Sequence, residues 1–397
     1  MRRASTDFCD GSASALTFGE YVTQRRCSAA LKDRLLFPSL AGILTCSTVH
    51  VAAYPAEVVL EFLVLAATSR TRRVAGGAAE VVRRLAAPVQ DVRTRVDVVA
   101  VRRSQRADTA APAPSIEVLF GDGRAEAFDG VVLACQANQA AALLAAAGDD
   151  AWDSRCAALS SVGYEASEVV VHTDEACAPA GGPAAWESVN FCLSAPLVPG
   201  VHPPLGATGR PEATIWLNSA YKRLAASAKA FAGTGATPLH VFQSWNLWTQ
   251  PRPERILARA VFERPIFRGP ATLAGLARLA SLQGEHGLYC AGSYALVGMP
   301  LLDNGVASGL RVAAALGGRL PRDSCGHGGD DGATEALDRL RSPLRLPRAE
   351  AERRVRSAGW LVAGITAATT AAALAAASAL IGATVLLAAW LARRACR

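Results

Sequence analysis

Lysine is scarce in this 397-residue chain, and stretches that mix aromatic with basic residues are missing. Only three of its 41 lysine and arginine residues are lysines, at Lys32, Lys222 and Lys229, so arginine carries almost all of the positive charge behind the formal net charge of +7. The arginines are scattered, and no stretch interleaves them with aromatic residues as a base-stacking surface would. The composition therefore argues against a nucleic acid as partner.

Paired cysteines are also missing. The ten cysteines stand singly, and none forms the CxxC pair on which many zinc sites are built. Cys135 and Cys290 lie within apolar runs, where a free cysteine behaves as a small hydrophobic residue. The spacing predicts no metal site and favours a reducing compartment over a disulfide-bonded scaffold. The N-terminal residues agree, because they lack the apolar core of a secretory signal.

Charge is missing from residues 357–392, in a chain whose mean hydropathy is +0.21. A membrane-spanning helix needs roughly 20 apolar residues, whereas a buried helix of this length would protrude from a domain. Trp360 and Trp390 stand near the two ends, and six arginines from Arg341 to Arg356 precede the run. We expect one transmembrane helix at 357–392 after a linker at 319–356. The positive-inside bias predicts a cytoplasmic main domain.

The rest of the chain changes from helical to strand-like patterns. Thr17–Arg34 and Pro55–Ala67 have the apolar spacing of helices, and proline suits a helix start. β-Branched runs follow in VDVVAVRRS, SIEVLF and GVVLAC, with Asp122-Gly123 as the expected hairpin turn. Residues 164–260 are rich in strand patterns such as SEVVVHTD, ATIWLNSAY and LHVFQSWN. The sequence thus predicts an α/β fold of mixed α+β character.

The segment Gly287–Leu316, GLYCAGSYALVGMPLLDNGVASGLRVAAAL, combines a short apolar strand, a glycine, a loop and an alanine-rich helix. Such a connection occurs in any α/β domain. It also suits a site where a large flat cofactor lies against the backbone, because glycine permits a close approach.

The order of these segments resembles the flavin-containing amine oxidase superfamily, in the branch of predicted NAD/FAD-binding flavoproteins often linked to cyclopropane-fatty-acid synthases. The resemblance covers about Leu16–Leu316 and is carried by LTFGEYVTQRRCSAALKDRLLFPSLAGI, RRVAGGAAEVVRRL, FDGVVLACQANQAAALL, VVVHTD, GLYCAGSYALVG and GVASGLRVAAAL. It implies FAD as cofactor and an incomplete FAD/NAD(P)-binding domain interleaved with a substrate domain. The implied substrate-domain parts are residues 1–75 and 151–270, and the implied FAD-binding parts are residues 76–150 and 271–318.

The resemblance also implies cofactor contacts. The backbone of Val98 would pair with adenine, and Ala134 with Cys135 would pass near the adenosine. Gly292 and Ser293 would lie by the pyrophosphate and ribitol. The residues implied at the isoalloxazine ring are Asp303, Asn304, Gly305 and Val306.

Two departures from the family pattern matter. The family begins with a strand and a GxGxxG loop that binds the pyrophosphate, and these 397 residues contain no such motif. Either the sequence is incomplete or the protein has lost this segment, and we expect at most substoichiometric FAD. The family also places a lysine near the flavin, where this chain offers Ser167 and Glu168, and Leu301 stands where a tyrosine is expected. An amine substrate is therefore poorly supported.

Within the implied substrate domain, His172 and Asp174 are candidates for an acid-base pair beside hydride transfer. A structural role at the end of a strand is the alternative. Trp186, Trp216 and Trp245 would line an apolar cleft or pack in a core, and we favour Trp216 with Asn218 near such a cleft. Ser308 lacks the GxSxG context of a hydrolase nucleophile.

These observations favour a membrane-anchored, FAD-dependent oxidoreductase acting on an apolar, lipid-like small molecule. Two other interpretations remain: a non-catalytic remnant that serves as a binding or scaffold module, and a membrane-tail protein whose soluble part only binds a partner. Nothing in the sequence identifies the substrate or the electron acceptor.

Overall fold

The computed structural model describes residues 15–68, 77–104, 116–192, 209–221 and 239–318. The linker expected at 319–356 and the transmembrane helix expected at 357–392 lie outside these ranges. Among the described residues, no helix is both long and apolar enough to cross a membrane. The fold is a mixed α/β fold, as the sequence predicts.

The described residues form two compact units. The first contains the residues up to Leu60 and Gly163–Pro270, and the second contains Glu61–Val162 and the residues from Ala271 onward. The chain therefore passes twice through each unit.

The first unit begins with short helices rather than the single helix expected over Thr17–Arg34. The first helix starts with a capping box, in which the Thr17 hydroxyl accepts from Glu20 N at 3.3 Å and Glu20 Oε2 accepts from Thr17 N at 2.8 Å. Arg26 has a φ of 53°, and this left-handed backbone breaks the helix. The helical elements are α1 (Phe18–Gln24), α2 (Ala29–Leu31), a π-helical stretch (Lys32–Leu36), α3 (Phe37–Leu44) and α4 (Thr48–Ala53).

A five-stranded antiparallel sheet follows in the first unit. Its strands are β5 (Gly163–His172), β6 (Val189–Cys192), β7 (Glu212–Trp216), β8 (Phe242–Trp245) and β9 (Ile256–Ile266). The strand order is β6-β7-β8-β5-β9. The strand expected over ATIWLNSAY ends at Trp216, because Leu217–Ala220 forms one helical turn, α9.

Helix α5 (Ala56–Thr68), expected from its apolar run after Pro55, leads from the first unit into the second. Gly77, with a φ of 81°, precedes helix α6 (Ala78–Ala86). An antiparallel sheet then joins β1 (Val98–Arg103), β2 (Ile116–Phe120) and β3 (Ala125–Phe128). The expected hairpin turn lies between β2 and β3, where Gly123 has a φ of 85°. This value is in the left-handed region that glycine adopts at little cost.

The second unit closes with a parallel strand pair. Strand β4 (Val131–Leu133) leads to helices α7 (Ala137–Ala145) and α8 (Asp153–Ser160), and β10 (Leu288–Cys290) pairs with β4. Helix α10 (Pro270–Ser281) precedes β10, and helix α11 (Leu302–Ala315) follows it. The sequence interpretation missed α10, although proline at its first position was an available signal.

Candidate functional site

The end of strand β10 is fixed by a side-chain amide. Gln283, which is 2% exposed, bonds both backbone groups of Cys290: Nε2 donates to its carbonyl oxygen at 2.8 Å and Oε1 accepts from its N–H at 2.8 Å. On the other side, Ala291 N donates to the Leu133 carbonyl of β4 at 3.0 Å. Burial raises the pKa of the Cys290 thiol to about 11, so this cysteine is a neutral, apolar part of the strand.

The loop after β10 turns at Gly292. Its N–H donates to Ser308 Oγ at 2.9 Å, and the Ser308 hydroxyl lies 3.0 Å from the Gly292 carbonyl and 2.8 Å from the Gly305 carbonyl. A Cβ at Gly292 would approach the Tyr294 ring to 2.7 Å. The loop therefore packs too closely at this position for any larger residue.

Asn304, in the first turn of α11, holds the loop from the other side. Its side chain is fully buried, and Nδ2 donates to the carbonyl oxygens of Ser293 at 3.3 Å and Leu296 at 3.2 Å. Its Oδ1 is buried and has no hydrogen-bond partner within the described ranges of the chain. Gly298 lies against the same amide, because a Cβ there would be 3.1 Å from both amide atoms. Asn304 thus holds the loop after β10 against helix α11.

The outer surface of this turn is open. Leu301 caps α11 without a side-chain hydrogen bond, and Leu302 and Val306 are 85% and 55% exposed. A helix N-terminus presents free N–H groups and a partial positive charge, here beside exposed apolar side chains. These residues fit the edge of a flat, partly apolar and electron-rich cofactor such as a flavin.

The structure brings together most of the residues that the resemblance assigns to the cofactor. Gly292, Ser293 and Asn304 share the contacts above, and a Cβ at Gly305 would lie 3.6 Å from Ser293 N. Asp303 and Val306 lie in the exposed first turn of α11, and Ala134 is exposed just beyond β4. Val98 starts β1 and pairs with Phe120, so it belongs to the other sheet of the second unit. Their contact with the flavin stays a prediction.

The sequence interpretation missed two residues that hold this loop, one between α10 and β10 and one within α11. Gln283 and Ser308 bond to backbone atoms, and the sequence contains no motif that predicts these bonds. The available signal for Ser308 is its position four residues after Asn304, because residues at this spacing lie on the same face of a helix.

In the first unit, polar side chains share one face of the five-stranded sheet. His172 Nε2 lies 3.0 Å from Ser244 Oγ, which lies 2.8 Å from Thr214 Oγ1. Because His172 Nδ1 accepts from Asp174 N at 3.3 Å, the proton belongs on Nε2, which donates to Ser244. Burial lowers the pKa of His172, whose side chain is 0% exposed. The described contacts give this histidine a role in joining strands.

Asp174 is bound to Arg252 rather than to the His172 ring. Its carboxylate accepts from Arg252 Nε and Nη2, each at 3.0 Å, and from Arg252 N at 2.9 Å. These hydrogen bonds hold the pKa of Asp174 well below its ordinary value. The predicted acid-base pair therefore lies in a buried network, with His172 neutral and Asp174 ionised.

Strand β5 presents no lysine. Ser167 is buried and donates to Asn246 Oδ1 at 3.2 Å, whereas Glu168 forms an ion pair with Arg259 at 2.5 Å. In the part of the chain that the structure describes, no group of three His, Cys, Asp or Glu side chains could hold a metal ion.

Four aromatic side chains of the first unit, Trp186, Trp216, His240 and Phe242, form what we call the aromatic cluster. The Trp186 ring meets the other three edge-on, with centroid distances of 5.4 Å to Trp216, 5.2 Å to His240 and 5.1 Å to Phe242. Trp216 pairs with Phe242 across β7 and β8, and Phe242 pairs with His172 of β5. The cluster thus continues the polar face described above.

Asn218 positions one edge of the aromatic cluster. It is 6% exposed, and its side chain donates to the Leu239 carbonyl at 2.9 Å and accepts from Val241 N at 2.7 Å. These two residues flank His240, so the amide of Asn218 fixes the backbone that carries the histidine. The position of Trp216 and Asn218 near an apolar substrate cleft stays a prediction.

Comparison with known proteins identifies the family. The family model described as flavin containing amine oxidoreductase matches residues 10–316, and 22 chains of solved structures match. One is the CLA-producing fatty acid isomerase from P. acnes, with a TM-score of 0.49 and 13% sequence identity; the match covers 76% of this chain and 66% of that chain.

The chain therefore spans less than two thirds of that isomerase. No curated protein matches the sequence. The family match covers both described units, and its flavin is the cofactor that the sequence predicts. The chain belongs to the flavin-containing amine oxidoreductase family.

Proposed function

We propose that the protein is an FAD-dependent oxidoreductase that acts on an apolar, lipid-like small molecule. The observation that carries the proposal is the loop of Gly292, which Ser308 and Asn304 hold against the open N-terminus of α11. When bound, the flavin supplies the redox chemistry, and the protein supplies binding, orientation and electrostatics.

The chain's own residues support cofactor placement. Gly292 leaves the loop compact, Asn304 fixes the carbonyl oxygens of Ser293 and Leu296, and the first turn of α11 offers N–H groups to electron-rich atoms. Leu302 and Val306 offer apolar contact at the same turn. Gly292, Ser293, Asp303, Asn304, Gly305 and Val306 would therefore hold the flavin.

The apolar substrate is supported by what the first unit presents. Its sheet carries the aromatic cluster, and β5 carries no lysine to serve amine oxidation. Aromatic side chains offer large apolar contact areas. A lipid-like substrate fits these residues better than a charged amine does.

A flavin titration tests the function. The purified full chain is mixed with excess FAD without oxygen, and flavin absorbance is followed after adding either decanoate or benzylamine. We expect the flavin to be reduced by decanoate and not by benzylamine. Before FAD is added, we expect the purified chain to hold substoichiometric FAD, because these 397 residues contain no GxGxxG motif. No bound flavin and no reduction would instead support the non-catalytic binding module.

The membrane anchor is a second part of the proposal, supported by the uncharged run at 357–392. Truncation after Arg356 should release the protein from membranes, whereas alkaline carbonate should not extract the full chain. A truncated chain that still pellets with membranes would exclude the anchor. Tags at each end, probed by protease in sealed vesicles, test the expected cytoplasmic position of the main domain.

A further inference from the structure

The aromatic cluster contains two buried nitrogens without a hydrogen-bond partner. Among the residues that the structure describes, Trp216 Nε1 and His240 Nδ1 both lack one, and their ring centroids are 5.4 Å apart. Trp186, in the same cluster, donates its own Nε1 to the Pro179 carbonyl at 2.7 Å. Buried polar groups in proteins nearly always have partners. Two exceptions side by side point to a group that is supplied from outside the protein.

The backbone around these rings is held firmly. Asn218 bonds both neighbours of His240, and Leu217 N donates to the Val241 carbonyl at 2.9 Å. The rings of Trp186, Trp216 and His240 each contact the other two. Because these backbone groups are already hydrogen-bonded, they do not move to become acceptors for the two ring nitrogens.

The chemistry of the two nitrogens defines the ligand. An indole Nε1 is only a donor, and an imidazole Nδ1 is a donor in one tautomer or when protonated. Each of them can donate to an oxygen acceptor. The Trp216 and His240 rings are partly exposed, and their faces with those of Trp186 and Phe242 are apolar. A molecule that fits combines an apolar chain with an oxygen acceptor at one end.

We propose that the aromatic cluster binds the acyl head of an apolar ligand, with Trp216 Nε1 and His240 Nδ1 donating to its carboxylate or carbonyl oxygen. Asn218 is a positioning residue, because it acts through the backbone of His240. The inference rests on the proposed function, because it assumes an apolar substrate. It adds that the protein recognises this substrate by its acyl oxygen.

The test measures binding of three ten-carbon probes to the full-length chain by calorimetry, with no flavin added: decanoate, methyl decanoate and decane. Decanoate and the ester share the acyl oxygen, and decane has none. We expect Trp216→Phe to weaken decanoate binding by about tenfold, the loss expected for a hydrogen bond to a charged group. Decane should bind more weakly and should not respond to the substitution.

Trp245→Phe is the matched control. Trp245 Nε1, on β8 of the same sheet, is also buried with no hydrogen-bond partner in the described part of the chain, but its ring is not part of the aromatic cluster. Near-ultraviolet circular dichroism confirms folding of both variants. A response of decanoate but not of the ester would identify the free acid as the ligand, and a response of both would identify any acyl oxygen.

Equal effects of Trp216→Phe and Trp245→Phe, or decane binding as tight as decanoate, would overturn the proposal. This result is distinct from failure of the proposed function, which the flavin titration measures. If decanoate reduces the flavin but Trp216→Phe does not weaken decanoate binding, the redox function stands and only this recognition site is excluded.

Discussion

Two groups of buried polar side chains, one in each unit, bond to different partners. In the second unit, Gln283, Asn304 and Ser308 bond to backbone atoms of the loop around Gly292. In the first unit, Thr214, Ser244 and His172 bond mainly to one another across three strands. Side-chain bonds to the backbone define the path of a loop, whereas side-chain bonds between strands join a sheet that already has its own backbone ladder.

This difference suggests which unit tolerates change. A loop without regular backbone pairing depends on each side-chain bond for its shape, because every buried carbonyl it leaves unpaired costs free energy. The sheet keeps its register through β5, β7 and β8 even when one hydroxyl is removed. Substitutions of these side chains should therefore change the shape of the loop as well as stability in the second unit, and stability alone in the first.

The largest effect is expected for Asn304→Asp. The new carboxylate would face the carbonyl oxygens of Ser293 and Leu296 in a fully buried place, so we expect a loss of about 3 kcal/mol or more in the free energy of unfolding. Once protonated, the new carboxyl group can donate one bond, so stability should recover as the pH falls. Denaturant unfolding at several pH values measures both. Asp303→Asn, at the exposed neighbouring position, is the comparison and should cost less than Asn304→Asp, because the charge at Asp303 is in contact with water.

Gly292→Val comes next. The added side chain would meet the Tyr294 ring, since a Cβ alone approaches it to 2.7 Å, and overpacking of this kind costs about 1–3 kcal/mol. We also expect FAD retention to fall after gel filtration. Gly309→Val in α11 is the control, because a Cβ there has no neighbour within 4 Å. If the variant holds as much FAD as the parent chain, the flavin does not lie along this loop.

The sequence predicts the strand, glycine and helix around the loop of Gly292, but it does not predict the side-chain hydrogen bonds that hold the loop. A strand, a glycine and a helix can be recognised from apolar runs and from Gly292, and the hairpin at Asp122-Gly123 follows from the turn chemistry. The partners of Gln283 and Ser308 cannot be read in this way, because they depend on which backbone groups the folded chain leaves unpaired. The break after α1 was missed for a related reason: Arg26 adopts a left-handed backbone that arginine rarely favours.

Two of the buried serines, one in each unit, allow a direct comparison of the units. Ser308→Ala and Ser244→Ala each remove one hydroxyl, at side chains that are 2% and 0% exposed, and each should cost about 1–2 kcal/mol. Only Ser308→Ala should also lower FAD retention, because Gly292 N loses its acceptor. Equal flavin retention in the two variants would remove the distinction between loop-shaping and strand-joining bonds.

The smallest effect concerns pH and tests the strand-joining network of the first unit. Burial lowers the pKa of His172 in the folded protein, so the unfolded chain binds more protons as the pH falls below about 6.5, the ordinary value for histidine. The contribution of His172 to stability is therefore present above this pH and is lost as the pH falls toward the lowered pKa. Unfolding by denaturant between neutral and mildly acidic pH should show this slope, and His172→Asn should flatten it. Asp174 does not confuse the measurement, since its pKa is also lowered and its own loss begins only at more acidic pH. If the slope of unfolding free energy against pH is the same in His172→Asn, protonation of His172 does not destabilise the folded protein. The hydrogen bond from Nε2 to Ser244 would then not account for the pH dependence.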